Sequence, residues 1–518
     1  MGDARIPVID LFAGPGGLGE GFAAYVADDG SRPFRIALSI EKDGFAYQTL
    51  LVRSFYRQFA PGDVPEDYFR RLRGEISSEQ LFSAHPEAAA AARGQTWRAA
   101  LGDPVEAPVG EVRRRVRRAL ASAGAWVLIG GPPCQAYSLA GRSRNKGIDD
   151  YALERDPKSR LYVEYLQLIA DFAPPVFIME NVRGLLSASA AGQNVFEQIR
   201  NDLLHPAAAI AAHGRRARPG RKYRYQLRAL DPQELYDTPT NFVVRCERFG
   251  IPQARHRVII VGVREDQARW PLLPLTPARA PTVEEIIRDL PKIRSGLSQE
   301  PDGPDQWIDA VLEMAGEEGI SAISACGHDA ICRGLAQLTS MRGAMARLDR
   351  GRDFVPGEPC VQYEREWFVD PRLQGFCNHS SRAHIRKDLH RYVFAAVFAE
   401  VYRRSAELDE FPRRLRPRHR NVLLALQGSN FADRFRVQHR HRHATTITSH
   451  ISKDGHYYIH YDPMQCRSLT VREAARLQTF PDNYFFEGPR TSQYVQVGNA
   501  VPPLLARQIA LRVYENLA

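Results

Sequence analysis

Cys134 stands directly after a Gly-Gly-Pro-Pro turn in WVLIGGPPCQAYS (126–138), where a short apolar run ends. A cysteine that only fills space needs no such setting, whereas one in a stiff polar loop at a strand end is placed to act as a thiolate. A second apolar run, PVFIMENV (175–182), delivers Glu180 to its end, followed by Asn181. In IPQARHRVIIVGVR (251–264), Gln253, Arg255 and Arg257 alternate, so in an extended strand their side chains share one face. A thiol, a carboxyl and guanidinium groups, in that order along the chain, make one candidate constellation for nucleophilic catalysis.

A second constellation occupies the amino end. VIDLFAGPGGLGEGF (8–22) reads as a strand, a glycine-rich turn and a helix start. Gly14, Gly16 and Gly17 permit a tight turn and close approach of a ligand to the backbone. Glu41 ends the next apolar run, 24 residues after Gly17, where an acidic side chain can accept both hydroxyls of a ribose. Asp103, in LGDPVE (101–106), is placed to serve an adenine edge. The Lys-Ser/Thr pair of a phosphate-transferring loop is missing from the turn, so an adenosine-containing cofactor is expected without phosphoryl transfer.

The elements that must hold these residues are legible in outline. The runs 6–12, 35–40, 126–130, 175–179 and 257–263 read as buried parallel strands alternating with helical patterns. The fold class expected is therefore α/β, a doubly wound Rossmann-like sheet with ligands beyond the carboxyl ends of its strands. Ala/Arg-rich tracts at 84–100 and 206–222 read as insertions, the second a mobile basic loop. After about residue 270 the alternation fades into a second, mixed and irregular domain. The 518 residues have ordinary globular composition, and 70 basic against 60 acidic side chains give a net charge of +10, which suits a polyanionic partner. Seven cysteines without a CxxC pair argue against a disulfide scaffold and a thiolate zinc site. Cys377, His379, His384 and His390 fit no standard finger, so no metal is expected. No run reaches the roughly 18 apolar residues of a membrane span, and the expectation is an intracellular protein.

Taken in order, DLFAGPGG, GGPPCQAYS, MENV, QARHR, RSLTVREAARLQTFPDNY (467–484) and QVGNAVPPLLA (496–506) resemble the motifs of the DNA cytosine-5 methyltransferases, which use S-adenosylmethionine. The resemblance covers most of the first 265 residues and roughly the last 70. It implies that Cys134, Glu180 and Arg255 are catalytic. The Cys134 thiolate would add to carbon 6 of cytosine, Glu180 would meet nitrogen 3, and Arg255 the oxygen at carbon 2, with Arg257 behind them. It further implies a cofactor site of Phe12, Gly14, Gly16, Glu41 and Asp103, with Pro133 and Leu161 beside them and Asn499 and Val501 closing it.

By the same resemblance the substrate is double-stranded DNA, from which the target base must be flipped out. The segment 136–150 would close over the DNA, with Gln135 or Ser138 entering the vacated space. Three divisions are expected: 1–270 as the first part of the catalytic domain, 271–445 for target recognition, and 446–518 as a hairpin, a recognition-supporting motif and a return to the catalytic domain. The stretch 411–443 carries Arg413, Arg414, Arg416, Arg418, Arg420, Arg434, Arg436, Arg440 and Arg442 against one acid, Asp433, as phosphate and guanine contact would require. His439, His441 and His443 alternate with arginine there, which suggests a strand or extended arm, and Thr446 resembles a position near the recognition domain. TITSHISKDGHYYIHYD (446–462) has the alternation of a hairpin around Lys-Asp-Gly. A cytoplasmic, nucleoid-associated modification enzyme with cognate restriction or defence proteins is the expected setting. A tRNA cytosine methyltransferase and a catalytically silent DNA-binding scaffold are the competing readings.

Overall fold

A computed structural model describes residues 5–121, 123–133, 161–190, 193–218, 223–232, 238–268, 272–417 and 434–517. The chain divides into two compact units, one of residues 1–64, 78–279 and 500–518, the other of 65–77 and 280–499.

The first unit is built on one eight-stranded sheet. Its strands are β1 (Ile6–Leu11), β2 (Phe34–Glu41), β3 (Thr96–Arg98), β4 (Val127–Gly130), β5 (Val176–Val182), β6 (Tyr225–Arg228), β7 (Val243–Arg245) and β8 (His256–Arg264). Their order is β3-β2-β1-β4-β5-β8-β6, with β7 also paired to β8. The neighbours from β3 to β5 run parallel. Continuous apolar runs such as VLIG are what strands covered on both faces require, and all four residues of β4 are buried. The 257–263 run departs from the parallel expectation: β8 lies antiparallel to β5, β6 and β7.

The helices that matter for the site are α1 (Gly17–Ala24), α2 (Gly44–Tyr56), α3 (Pro86–Gln95), α4 (Val109–Leu120), α5 (Leu161–Phe172), α6 (Val195–Leu204) and α7 (Pro206–Ala212). Ile9 and Leu11 of β1 join Val112, Val116 and Leu120 of α4 and Tyr165 and Ile169 of α5 in one core. The opposite face of β1 receives α1. A Cβ on Gly21 would stand 2.4 Å from the Ala506 Cβ and the Pro503 carbonyl, and 2.5 Å from the Arg507 amide nitrogen. This closeness seats the C-terminal helix Pro503–Leu517 on α1 and brings residues 500–518 into the first unit.

Neither tract read as an insertion is merely one. In 84–100, α3 buries Ala89 and Ala92, whose small side chains let it pack closely, and β3 adds an edge strand beside β2. In 206–222, α7 buries Ala209 and Ile210, so a helix begins the segment expected to be a loop. Of the rest, 215–218 is tied down: the Arg218 amide donates to Asp171 and the Arg216 carbonyl accepts from Arg113 and Gln167.

The second unit has its own apolar core around Trp307 and α8 (Arg386–Tyr402). The structure groups the chain differently from the sequence-based division, because residues 446–499 belong with 280–445. The reason is a set of buried charges on and beside α9 (Val471–Leu477). Arg467 grips both oxygens of Glu473 at 2.7 Å and donates to the Ile293 carbonyl. Arg476 bonds both oxygens of Asp482 and reaches Asp289 and the Ile286 carbonyl, while Arg472 donates to the carbonyls of Cys377, Pro481 and Tyr484. Removing one partner of such a buried pair typically costs about 3–5 kcal/mol.

Two further segments differ from expectation. Residues 446–462 form no hairpin: the segment enters a 3-10 turn at Ser449–Ser452, and Ile459 bridges Val437 on one side and Ser468 on the other. The Tyr458 hydroxyl bonds Thr448 and the Thr446 carbonyl, which folds the segment on itself without a ladder. The His/Arg alternation at 439–443 makes a turn rather than a strand, closed by the Arg442 amide on the His439 carbonyl. Residues that a zinc site would have drawn on are otherwise engaged, Cys377 with the Leu72 carbonyl and His379 with Thr470 and the Pro291 carbonyl.

Gly21→Ala is expected to lower the stability of the first unit by about 1–3 kcal/mol and to speed proteolysis within residues 500–518, read by denaturant titration and mass spectrometry. Burial pushes the His379 imidazole down from 6.5 to about 4. The unfolded chain therefore takes up a proton near pH 6.5 that the folded chain refuses until about pH 4, and stability present above pH 6.5 is lost as pH falls through that window. His379→Gln should flatten the decline in denaturant midpoint between pH 7 and 4 relative to the unaltered chain.

Candidate active site

Among the described residues, Phe12, Glu41, Gly131 and Glu180 stand at the carboxyl ends of β1, β2, β4 and β5, and Arg257 at the start of β8. Glu180, near the end of β5, lies diagonally across from Arg257 in the register that sets Arg257 opposite Val182 and Ile259 opposite Glu180. Both side chains are about nine-tenths buried, and Arg257 Nε forms an ion pair with Glu180 Oε1 at 2.9 Å. The other oxygen, Oε2, lies 2.9 Å from where a Cβ on Gly131 would stand. The carboxylate is thus wedged between a guanidinium and a backbone that offers no side chain.

The Gly131–Pro133 segment that leads to Cys134 is tied to the same strand, because the Asn181 side-chain amide donates to the Pro132 carbonyl at 3.4 Å while its oxygen accepts from the Val182 amide. Cys134, Gln135, Ser138 and the 136–150 segment lie outside the described residues. Sequence reasoning noted Asn181 without giving it work, and passed over Gly131; the signals were the Glu-Asn pair and the doubled glycine before Pro-Pro.

Alternation across 253–257 does not hold as one strand. Pairing breaks at Arg255, between Gln253–Ala254 and β8, and the Arg255 amide donates to the Gln253 carbonyl. Arg255 is 1% exposed and acts electrostatically on Cys246, whose thiol burial pushes up to about 12 against the pull of Arg255 and Arg257. The guanidinium bonded to Glu180 belongs to Arg257, the residue to which the sequence reading gave the supporting role.

The cofactor candidates sit around the glycine turn. Phe12 is a non-glycine residue with φ +55°, a strained conformation of the kind that concentrates at functional sites. Space beside Gly14 is open, with nothing within 4 Å of where a Cβ would stand, and Gly16 caps α1 at φ +94°. Glu41 accepts the Gly14 amide on Oε2 and the Asp43 amide on Oε1, each at 2.8 Å, which pins the turn to the end of β2. Burial holds its carboxyl above the ordinary range. Glu41 also pairs in register with Arg98 of β3, the strand that leads into the Asp103 loop. There Asp103 Oδ1 accepts the Val105 and Glu106 amides, and Leu161 and Glu164 pack against Gly102. Val501 is buried, with its carbonyl over Gly17. Pro133 is half-buried. Asn499 ends the helix Arg490–Asn499 in the second unit and is exposed.

The DNA candidates of the second unit form a held turn. The carbonyls of Arg440 and Arg442 accept the amides of Glu284 and Val283, Arg440 stacks 4.9 Å over Tyr461, and Arg442 is exposed. Arg416, by contrast, is taken up by the carbonyls of Phe411 and Asp409.

Among the described residues, a methyl group at position 131 would crowd the far end of the Glu180 side chain at 2.9 Å and make an ordinary contact with its carbonyl at 3.8 Å. Gly131→Ala should therefore leave the melting temperature nearly unchanged while shifting that carboxyl, and kcat/KM should fall about 10- to 100-fold.

Comparison with known proteins places the chain in a family. Residues 94–205, 234–328 and 378–515 match the family described as C-5 cytosine-specific DNA methylase. The type II methyltransferase M.Bpa9945I of Bacillus paralicheniformis is 32% identical over 98% of this chain and 98% of its own. M.DdeI of Desulfomicrobium norvegicum, also a type II methyltransferase, is 24% identical over 98% of this chain and 89% of its own. The DNA (cytosine-5-)-methyltransferase M.ApeKI of Aeropyrum pernix is 25% identical over 77% of this chain and 83% of its own. The chain belongs to the C-5 cytosine-specific DNA methylase family and is a DNA (cytosine-5-)-methyltransferase.

Proposed function

We propose that this enzyme methylates carbon 5 of a cytosine flipped out of a specific duplex DNA sequence, through a transient bond to Cys134, as the modification partner of a type II restriction system. The Glu180–Arg257 pair beside the Gly131–Pro133 segment carries the reading, since it sets a carboxyl and a guanidinium next to the residues that precede Cys134 in the chain. The type II relatives support the cellular role.

Carbon 5 of cytosine is a weak nucleophile while the ring is aromatic. The Cys134 thiolate donates its electron pair to carbon 6, the 5,6 double bond opens, and one difficult step becomes two easier ones. Glu180 hydrogen-bonds nitrogen 3 and can hand it a proton, which draws charge off the ring. Arg255 and Arg257 orient that carboxyl and meet the oxygen at carbon 2, where negative charge collects. After methylation, loss of the carbon-5 proton restores the double bond and expels the Cys134 sulfur.

The residues around the glycine turn fit S-adenosylmethionine: Phe12 for the adenine face, Glu41 for the ribose hydroxyls, Asp103 for the adenine edge, and Gly14 and Gly16 for close backbone approach. Leu161, Pro133 and Val501 complete its surroundings. When bound, S-adenosylmethionine supplies the electrophilic methyl group. Gln135, Ser138, Arg440, Arg442 and Thr446 are the proposed DNA contacts.

Transfer of labelled methyl from S-adenosylmethionine to duplex DNA and to tRNA, followed by bisulfite sequencing, tests the proposal. Label is expected on duplex cytosine alone, and Cys134→Ala should lose at least about a thousandfold in rate while retaining cofactor binding. Label on tRNA only, or full turnover by the variant, would overturn it.

A further inference from the structure

Asp10 is the charged residue of β1, two positions before Phe12. Strand alternation turns Ile9 and Leu11 into the core and Asp10 to the face that α1 covers. It is 1% exposed, and Gly19 of α1 presses so close that a Cβ there would lie 3.0 Å from Asp10 Oδ2. Neither carboxyl oxygen makes a hydrogen bond among the described residues.

The charged and titratable groups that face it are few. Arg57, beyond α2, is bonded to Glu20 of α1, which Arg53 also holds. Glu41 at the end of β2 adds negative charge, and Tyr165 of α5 gives its hydroxyl to the Ile178 carbonyl. Among the four residues of β4 there is no titratable side chain. An ionised carboxylate buried with no hydrogen bond among the described residues is costly, so this place selects the protonated acid. Burial pushes the Asp10 carboxyl up to about 8; Arg57 and the Gly19 amide pull it down, and Glu41 pushes it further up.

The same carboxyl lies under the helix that starts from the glycine turn and within electrostatic reach of Glu41, both assigned above to the cofactor. Building on that assignment, we propose that Asp10 holds a proton in the cofactor-free enzyme and releases it to solvent when the positively charged S-adenosylmethionine binds. The O–H bond of the carboxyl breaks, the proton passes to buffer, and the carboxylate left behind stabilises the cation. S-adenosylhomocysteine has a neutral thioether in place of the sulfonium, so on its formation Asp10 takes the proton back. The enzyme thereby separates donor from spent product by charge, at a residue that touches neither.

Titration calorimetry of the full chain in two buffers of different ionisation enthalpy tests this. At pH 7 the unaltered enzyme should release about 0.5–1 proton per S-adenosylmethionine bound and far less per S-adenosylhomocysteine. Its affinity for the donor should rise toward about tenfold per pH unit between pH 6 and 8. Asp10→Asn, which mimics the protonated acid, should release no proton and show a flat affinity profile. Equal proton release with donor and product, or none with the donor, would overturn the inference, and so would release that persists in Asp10→Asn, which would point to Glu41. Should the variant not fold, the donor–product difference in the unaltered enzyme decides alone. Failure to bind S-adenosylmethionine at all would instead overturn the cofactor assignment.

Discussion

The Glu180 carboxylate lies between the Arg257 guanidinium, 2.9 Å from one oxygen, and Gly131, where a Cβ would stand 2.9 Å from the other. The ion pair fixes one oxygen and the close backbone contact limits the other. Both partners come from strand ends, so the position is set by sheet register rather than by a loop that must find its own conformation. Asn181, on the neighbouring residue, turns to the opposite side and ties down Pro132. Two adjacent residues of one strand thus hold the acid in place and steady the segment that leads to the thiol.

That arrangement depends on the direction of β8. Running antiparallel to β5, it brings its first residues beside the last residues of β5, so Arg257 meets Glu180 at the carboxyl edge of the sheet. A parallel strand entering there would begin at the opposite edge, one sheet width away. The same edge receives Phe12 and Glu41, and Glu41 joins the glycine turn to β2 through two backbone amides. Phe12, Glu41, Gly131 and Glu180 share one rim because β1, β2, β4 and β5 all end there.

The second unit solves a different problem. Its three arginines on and beside α9 are almost completely buried and bind residues drawn from 286–293, 377 and 481–484. Such contacts give little net stability compared with an apolar core, but they tolerate few alternative partners. They suit a region with short, scattered secondary structure, where buried charge in place of a long ladder sets the packing. Above this base, the 439–442 turn is held by backbone bonds while Arg442 stays exposed.

Much of the first unit was legible because its signals are local. Continuous apolar runs mark central strands, glycine marks the turn after β1, and Glu41, Glu180 and Cys134 stand where such runs end. Less legible were the segments whose state depends on distant partners. Alanine-rich 84–100 became a helix and edge strand because β2 had an open side, and 446–462 lost its hairpin because Ile459 found Val437 and Ser468. Residue types and their order alone determined the class of chemistry and the family of folds, since those rest on which groups follow which strand. Only the tertiary structure decided that Arg257 pairs with Glu180, that Gly131 makes room for it and that Asp10 is buried with no hydrogen bond among the described residues, because each is a distance between residues far apart in the chain.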